Sequence, residues 1–77
     1  MELHGVVKNW LEQRNFGYIA AEDGKDYWIC YADIVNMEGY RSLLKGQRVL
    51  FYPEMQADGR LRALELEVIP ARPGKEE

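Results

Sequence analysis

Turn-forming segments interrupt the chain at short intervals, and this spacing limits what it can fold into. Polar segments containing Asp-Gly lie at 22–26 and 56–60, and a further break lies at 45–47. The stretches between them are short and rich in β-branched and aromatic residues, which favour strands. We therefore predict five strands, at about residues 3–11, 15–21, 26–31, 47–53 and 61–69. The long gap after the third strand has room for a short helical turn around residues 33–35.

The fold class follows from the number and spacing of these strands. A chain of 77 residues provides one domain, and five short strands joined by turns indicate an all-β barrel or sandwich. Alternation within the strands predicts a core of Val7, Ile19, Ile29, Ile34, Val49, Phe51, Leu64 and Leu66. We expect the domain to span 1–69, and the polar tail 70–77 to be disordered.

Several classes of function are disfavoured by what the sequence lacks. Cys30 is the only cysteine and His4 the only histidine, so neither a disulfide nor a metal-ligand cluster is expected. No apolar run is long enough for a membrane helix, and the first residues do not resemble a signal peptide. Ser42 has no neighbouring base to activate it. We expect a cytoplasmic, most simply monomeric protein that is not an enzyme and needs no cofactor.

Two aromatic segments, 15–19 and 27–31, are joined by a turn of hairpin length. If they pair as neighbouring strands, Phe16 and Tyr18 lie beside Trp28 and Cys30 on one face. One interpretation places these rings in the core, as is usual for aromatic residues in strands. The other is a stacking platform for bases, because every base has a π face and aromatic rings bind single strands with little sequence preference. The pattern alone leaves both open. A missing side chain at Gly17 would leave the rings free to lie flat, although a strand glycine also marks a bulge.

Several segments together resemble the cold-shock domain, a five-stranded antiparallel β-barrel of the oligonucleotide-binding (OB) type. Residues 5–11 resemble the family's opening Gly-x-Val-Lys-Trp-Phe-Asn. Residues 14–19 resemble its first ribonucleoprotein motif, Lys-Gly-Phe-Gly-Phe-Ile, and 26–31 the second, Asp-Val-Phe-Val-His-Phe. The order and approximate spacing continue to about residue 68. The resemblance therefore covers nearly the whole chain.

The resemblance implies binding of single-stranded RNA or DNA, often as an RNA chaperone, with no cofactor. Lys8 and Arg14 match basic residues beside the family's platform, and Arg60 lies where a basic loop residue often flanks it. The aromatic positions implied to stack bases are Trp10, Phe16, Tyr18, Trp28, Tyr31 and Tyr40.

The chain departs from the family at informative positions. Asn9 replaces a stacking Trp, and Cys30, which we keep as a candidate contact, replaces a stacking His. Binding should therefore be weaker, by about 1–3 kcal/mol for each lost stack. Asn15 replaces a glycine, and asparagine tolerates positive φ better than most residues. Tyr27 replaces a small core residue, so its hydroxyl needs a partner or must reach the surface.

The net charge of −3 favours an alternative, a barrel of this type that has come to bind another protein. Leu50, predicted to face outward beside Tyr52, offers such a partner an apolar contact. The distribution of charge distinguishes the two functions. For a nucleic-acid-binding protein, the aromatic face should be bordered by Lys8, Arg14, Lys25, Arg60 and Arg62. The acidic residues expected elsewhere are Glu38, Glu54, Glu65 and Glu67.

Overall fold

A computed structural model describes residues 1–35 and 37–70. Its strands are β1 (Leu3–Leu11), β2 (Phe16–Ala21), β3 (Asp26–Cys30), β4 (Arg48–Met55) and β5 (Leu61–Val68). Every strand end lies within two residues of its predicted position, and the helical turn is a 3₁₀ turn at Tyr31–Asp33. Apart from Pro70, the tail predicted to be disordered lies outside the described residues. In the part of the chain described, no helix combines the length and the apolar character that crossing a membrane requires.

The five strands form a closed barrel in the order β1-β2-β3-β5-β4. β1 pairs antiparallel with both β2 and β4, and the β2–β3 and β4–β5 pairs are antiparallel as well. A parallel contact between β3 and β5, with Trp28 opposite Arg62, closes the barrel. The predicted all-β, five-stranded barrel is thus confirmed, with one parallel seam in an otherwise antiparallel sheet.

The core contains seven of the eight predicted residues, and Leu64 is the exception. Leu64 is half-buried, whereas Ala63 and Leu66 are fully buried. Glu65 adopts a positive φ of 49°, and the register between β4 and β5 shifts at this point. Because the bulge adds one residue to β5, the two inward-facing residues, Ala63 and Leu66, are three positions apart instead of two. The prediction for Leu64 was wrong because strict alternation does not hold across this bulge.

Tyr27, Leu43 and Ala63 complete the core of the described residues, and none of the three was predicted there. The Tyr27 ring packs against Phe51, with 5.1 Å between the ring centroids. Its hydroxyl donates a 2.6 Å hydrogen bond to Oδ2 of Asp23 in the β2–β3 turn. A ring that is 4 % exposed thereby keeps its polar end satisfied, as the sequence requires of a tyrosine at this position.

Candidate functional site

The outer face of β2 and β3 carries three rings that we call the aromatic ladder: Phe16, Tyr18 and Trp28. Tyr18 lies opposite Trp28, and Phe16 opposite Cys30, as predicted for paired segments. The Phe16 centroid is 6.0 Å from that of Trp28 and 6.3 Å from that of Tyr18. Tyr18 is exposed, and the other two rings are half-buried. The ladder is therefore outside the core, with ring surface open to solvent.

Gly17 allows β1 to approach β2 closely. A Cβ added to Gly17 would overlap the backbone oxygen of Asn9 and would lie 3.0 Å from Cα of Trp10. Gly17 itself is buried, so the space it leaves faces the barrel interior. The structure gives Gly17 a role in the close contact between two strands.

The Trp10 side chain lies on the opposite side of the sheet from the ladder. Trp10 pairs with buried Gly17 and packs against the core. Its Nε1 is buried and has no hydrogen-bond partner among the described residues. The register of β1 shifts between Val7 and Asn9. Because this bulge turns Asn9 outward, beside Tyr18, the next residue must face inward. Placing Trp10 on the aromatic face was therefore wrong.

A groove of about 600 Å³ runs along the ladder. One side is formed by the three ladder rings, and the other by the β4–β5 turn and the start of β5. Arg62 extends from β5 over Trp28, with its guanidinium carbon 5.3 Å from the ring centroid. The remaining lining residues are Asp26, Gln56, Asp58, Arg60 and Leu61.

Three of the five basic residues predicted to border the aromatic face lie at or beside the groove, and each of these three pairs with a carboxylate. Nζ of Lys8 lies 2.6 Å from Oδ2 of Asp26. Nη2 of Arg62 lies 2.7 Å from Oδ2 of Asp33, a hydrogen bond that raises the pKa of Arg62 above its usual value. Arg60 makes a longer contact of 3.4 Å with its neighbour Asp58. The groove therefore combines aromatic surface with a nearly balanced charge.

One acidic residue is not where it was expected. Glu54 lies opposite Arg62 across the β4–β5 pair, so it shares the face of the groove. It accepts a 2.5 Å hydrogen bond from Nε2 of Gln56, a lining residue. The prediction that Glu54 lies away from the aromatic face was wrong, because the twisted β4–β5 hairpin reaches round to β3.

Two further predicted aromatic residues gather at the Phe16 end of the ladder. Asn15 has a φ of 59°, as expected for a residue replacing glycine. Its backbone oxygen accepts a hydrogen bond from the Tyr31 amide at 3.0 Å, and its side-chain oxygen accepts one from the Tyr40 hydroxyl at 3.1 Å. The nearby Glu12 carboxylate raises the pKa of Tyr40 above its usual value. Both rings are exposed. Asn15 thus tethers Tyr31 and Tyr40 beside the ladder, outside the lining of the groove.

The remaining predicted positions flank this cluster. Arg14 is exposed in the β1–β2 turn and makes no ion pair within residues 1–35 and 37–70. Cys30 is half-buried next to Phe16. No cluster of potential metal ligands occurs in those same ranges.

The sequence predicted Arg62 as a basic residue bordering the aromatic face, but it did not predict that Arg62 lies over the Trp28 ring. Arg62 comes next to Trp28 only through the β3–β5 seam, which joins strands far apart in the chain. The available signal was the period of two in β5, which places Arg60 and Arg62 on one face.

Comparisons with known proteins agree with this geometry. A family model described as "'Cold-shock' DNA-binding domain" matches residues 3–69. The chain is 37 % identical over 59 residues to Cold shock-like protein CspB of Escherichia coli, covering 75 % of this chain and 82 % of that protein. It is 36 % identical over 62 residues to Glycine-rich protein 2 of Nicotiana sylvestris, covering 80 % of this chain but only 29 % of the tobacco protein.

A solved structure has the same fold. Drosophila Unr CSD456 superposes with a TM-score of 0.74 at 16 % identity, covering 96 % of this chain and 29 % of that one.

Proposed function

The chain belongs to the cold-shock domain family, and on that premise we propose that it binds single-stranded RNA or DNA by stacking bases on the aromatic ladder. The observation that carries this proposal is the outward-facing set of Phe16, Tyr18 and Trp28 along a groove of about 600 Å³. Each stacked base contributes about 1–3 kcal/mol, and all four bases offer a π face. Little sequence preference is therefore expected.

The path of the strand follows from the chemistry around the ladder. Bases stack in the groove while the phosphates pass the basic side chains at its borders, Lys8 and Arg60. Tyr31 and Tyr40 extend the aromatic surface beyond Phe16. Asn9 and Cys30 hold two positions on the ladder's face without a ring. We expect moderate affinity, dominated by the rings.

The biological role we propose is that of a cytoplasmic, monomeric RNA chaperone or regulator of gene expression. Stacking holds single strands open without chemical change, so the role requires binding and no catalysis. The chain spans less than a third of the tobacco relative, and this role is therefore proposed for the domain itself.

The decisive experiment compares two tyrosines of nearly equal exposure. Tyr18 is 38 % exposed on the ladder, and Tyr52 is 40 % exposed on β4, outside the groove. Tyr18→Ala should weaken binding of a fluorescent pyrimidine-rich strand by about 1–3 kcal/mol. Tyr52→Ala should leave it unchanged. Equilibrium titrations with RNA and DNA of the same sequence would measure both, and circular dichroism would check the fold.

Equal affinities for all three proteins would reject stacking on the aromatic ladder, and no binding by the unsubstituted protein would favour the protein-binding alternative. That alternative rests on the β4 surface. There Leu50 is half-buried between His4 and Glu67, so it offers less apolar surface than the sequence indicated. The pKa of Tyr52 is raised by Glu2 and, less strongly, by burial and by further carboxylates. This mostly polar setting is why we favour the nucleic-acid function.

A further inference from the structure

The Trp28 ring has neighbours on two sides. Phe16 of β2 lies 6.0 Å away, with 41° between the ring planes. Arg62 of β5 places its guanidinium carbon 5.3 Å from the Trp28 centroid. A base that enters the groove from the β5 side therefore meets the guanidinium before it meets the indole.

The guanidinium is held in this position by a forked contact. Nε and Nη2 of Arg62 both donate to Oδ2 of Asp33, at 3.1 and 2.7 Å. The Arg62 side chain is 32 % exposed and that of Asp33 20 % exposed, so the pair is partly shielded from water. Because both hydrogen bonds end on one charged carboxylate oxygen, they hold the guanidinium in place beside Trp28.

We propose that Arg62 is a stacking residue of this groove, and that Asp33 is the positioning residue that orients it. This inference rests on the proposed function and identifies which group the base contacts beside Trp28. Guanidinium planes stack on bases as aromatic rings do. Phe16, Trp28 and Arg62 then form one continuous surface, and the outer face of the guanidinium receives the base.

The same pairing limits any role for Arg62 as a phosphate contact. A phosphate would have to compete with Asp33 for a partly buried cation. The cation is already neutralised by its partner, so it releases few counterions when a strand binds. The plane of Arg62 should therefore matter to affinity, whereas its charge should hardly affect the salt dependence.

The test is Arg62→Lys, which keeps the charge and removes the plane. Its matched control is Arg48→Lys, the same change at an exposed β4 position that does not line the groove. Affinity for a labelled pyrimidine-rich single strand is measured at several salt concentrations, with the fold checked by circular dichroism. Arg62→Lys should bind roughly tenfold more weakly at every salt concentration, the loss of one stacking contact. Arg48→Lys should match the unsubstituted protein.

A second variant tests the positioning role. Asp33→Asn keeps the Arg62 guanidinium but removes the negative charge of the Asp33 carboxylate that holds it. The Arg62 cation then becomes available to phosphate. The logarithmic salt dependence should then steepen by about 0.7, one additional phosphate contact on a single strand. A residue that only supported the fold would leave this slope unchanged.

These experiments distinguish the stacking role of Arg62 from the proposed binding of single strands on the aromatic ladder. If the unsubstituted protein binds and Tyr18→Ala weakens it, but Arg62→Lys binds equally well, the function stands and the stacking role of Arg62 is rejected. If the effect of Arg62→Lys disappears at high salt, Arg62 contacts phosphate and the inference is also wrong. An unchanged slope in Asp33→Asn rejects the positioning role of Asp33.

Discussion

Tyr27 connects the barrel interior to the β2–β3 turn through one hydrogen bond, to Asp23. The bond raises the pKa of Tyr27 to about 12, with burial adding to the effect. It also lowers the pKa of Asp23 below its usual value. The need for a partner follows from a tyrosine at a core position, but its identity depends on the conformation of the turn. Asn15 is a second example. Its positive φ could be predicted from the sequence, because the matching motif has glycine at this position. Its contact with Tyr40 could not be predicted, because it depends on the folded structure.

Tyr27→Phe should remove a pH-dependent part of the stability. We expect the variant to be about 1 kcal/mol less stable at neutral pH, the typical value of one hydrogen bond. The unfolded phenol loses its proton near pH 10, whereas the folded one keeps it until about pH 12. The advantage of the unsubstituted protein is therefore complete below pH 10 and declines between these values. On the acid side it declines as Asp23 is protonated, below its ordinary value of 3.8.

Urea unfolding of both proteins across this pH range would measure the difference. The other tyrosines and the lysines are common to the two proteins, so their titration largely cancels. A difference in stability that stays constant from neutral to strongly alkaline pH would contradict the prediction.

At the scale of the strands, two bulges decide which side chains face outward. The first lies in β1 between Val7 and Asn9, and the second in β5 at Glu65. The five strands could be located from turn residues and alternation, because those signals are local. The faces of Trp10 and Leu64 could not, because a bulge adds one residue to a strand and its position is set by pairing with another strand. Sequence alone therefore predicted the strands better than the binding face.

The same register makes the ladder extensible. Asn9 faces outward beside Tyr18, and Cys30 beside Phe16. Asn9→Trp combined with Cys30→His would add a ring at each position, where the family carries those residues. We expect binding to a pyrimidine-rich strand to strengthen by about 1–3 kcal/mol in total. The salt dependence should hardly change at neutral pH, where the new histidine is mostly uncharged.

The matched control for this double variant is Asn9→Leu with Cys30→Leu, which adds apolar volume without a π system. Titrations at two salt concentrations would compare all three proteins. An equal gain in the leucine variant would attribute the effect to burial, and no gain in either, with an intact fold, would favour the protein-binding alternative.

At the scale of the whole molecule, charge is arranged in local pairs. The chain has a net charge of −3, yet Lys8 and Arg62 lie at the groove, each beside a carboxylate. Cations near the aromatic face were predictable from the motifs. Their partners were not, since Asp26 and Asp33 come from positions 18 and 29 residues away in the chain. Non-specific attraction to nucleic acid should consequently be weak.

We expect a shallow salt dependence, with a logarithmic slope no steeper than about −2. Asp26→Asn would release Lys8, and the slope should steepen by about 0.7 with tighter binding at low salt. Glu22→Gln removes the same formal charge from a residue that contacts His4 outside the groove, and it serves as the control. Equal steepening in both variants would show that net charge, and not the Lys8–Asp26 pair, controls the response.

The parallel seam between β3 and β5 affects how the barrel opens. Among the described residues it joins the two strands through a single register pair, Trp28 and Arg62, followed by a bridge between Ile34 and Leu66. Backbone amides along such a seam exchange with deuterium sooner than those of the longer antiparallel pairs. A ligand in the groove contacts both β3 and β5, so it opposes the transient separation of these two strands. Binding there therefore slows hydrogen exchange across the seam and raises the melting temperature.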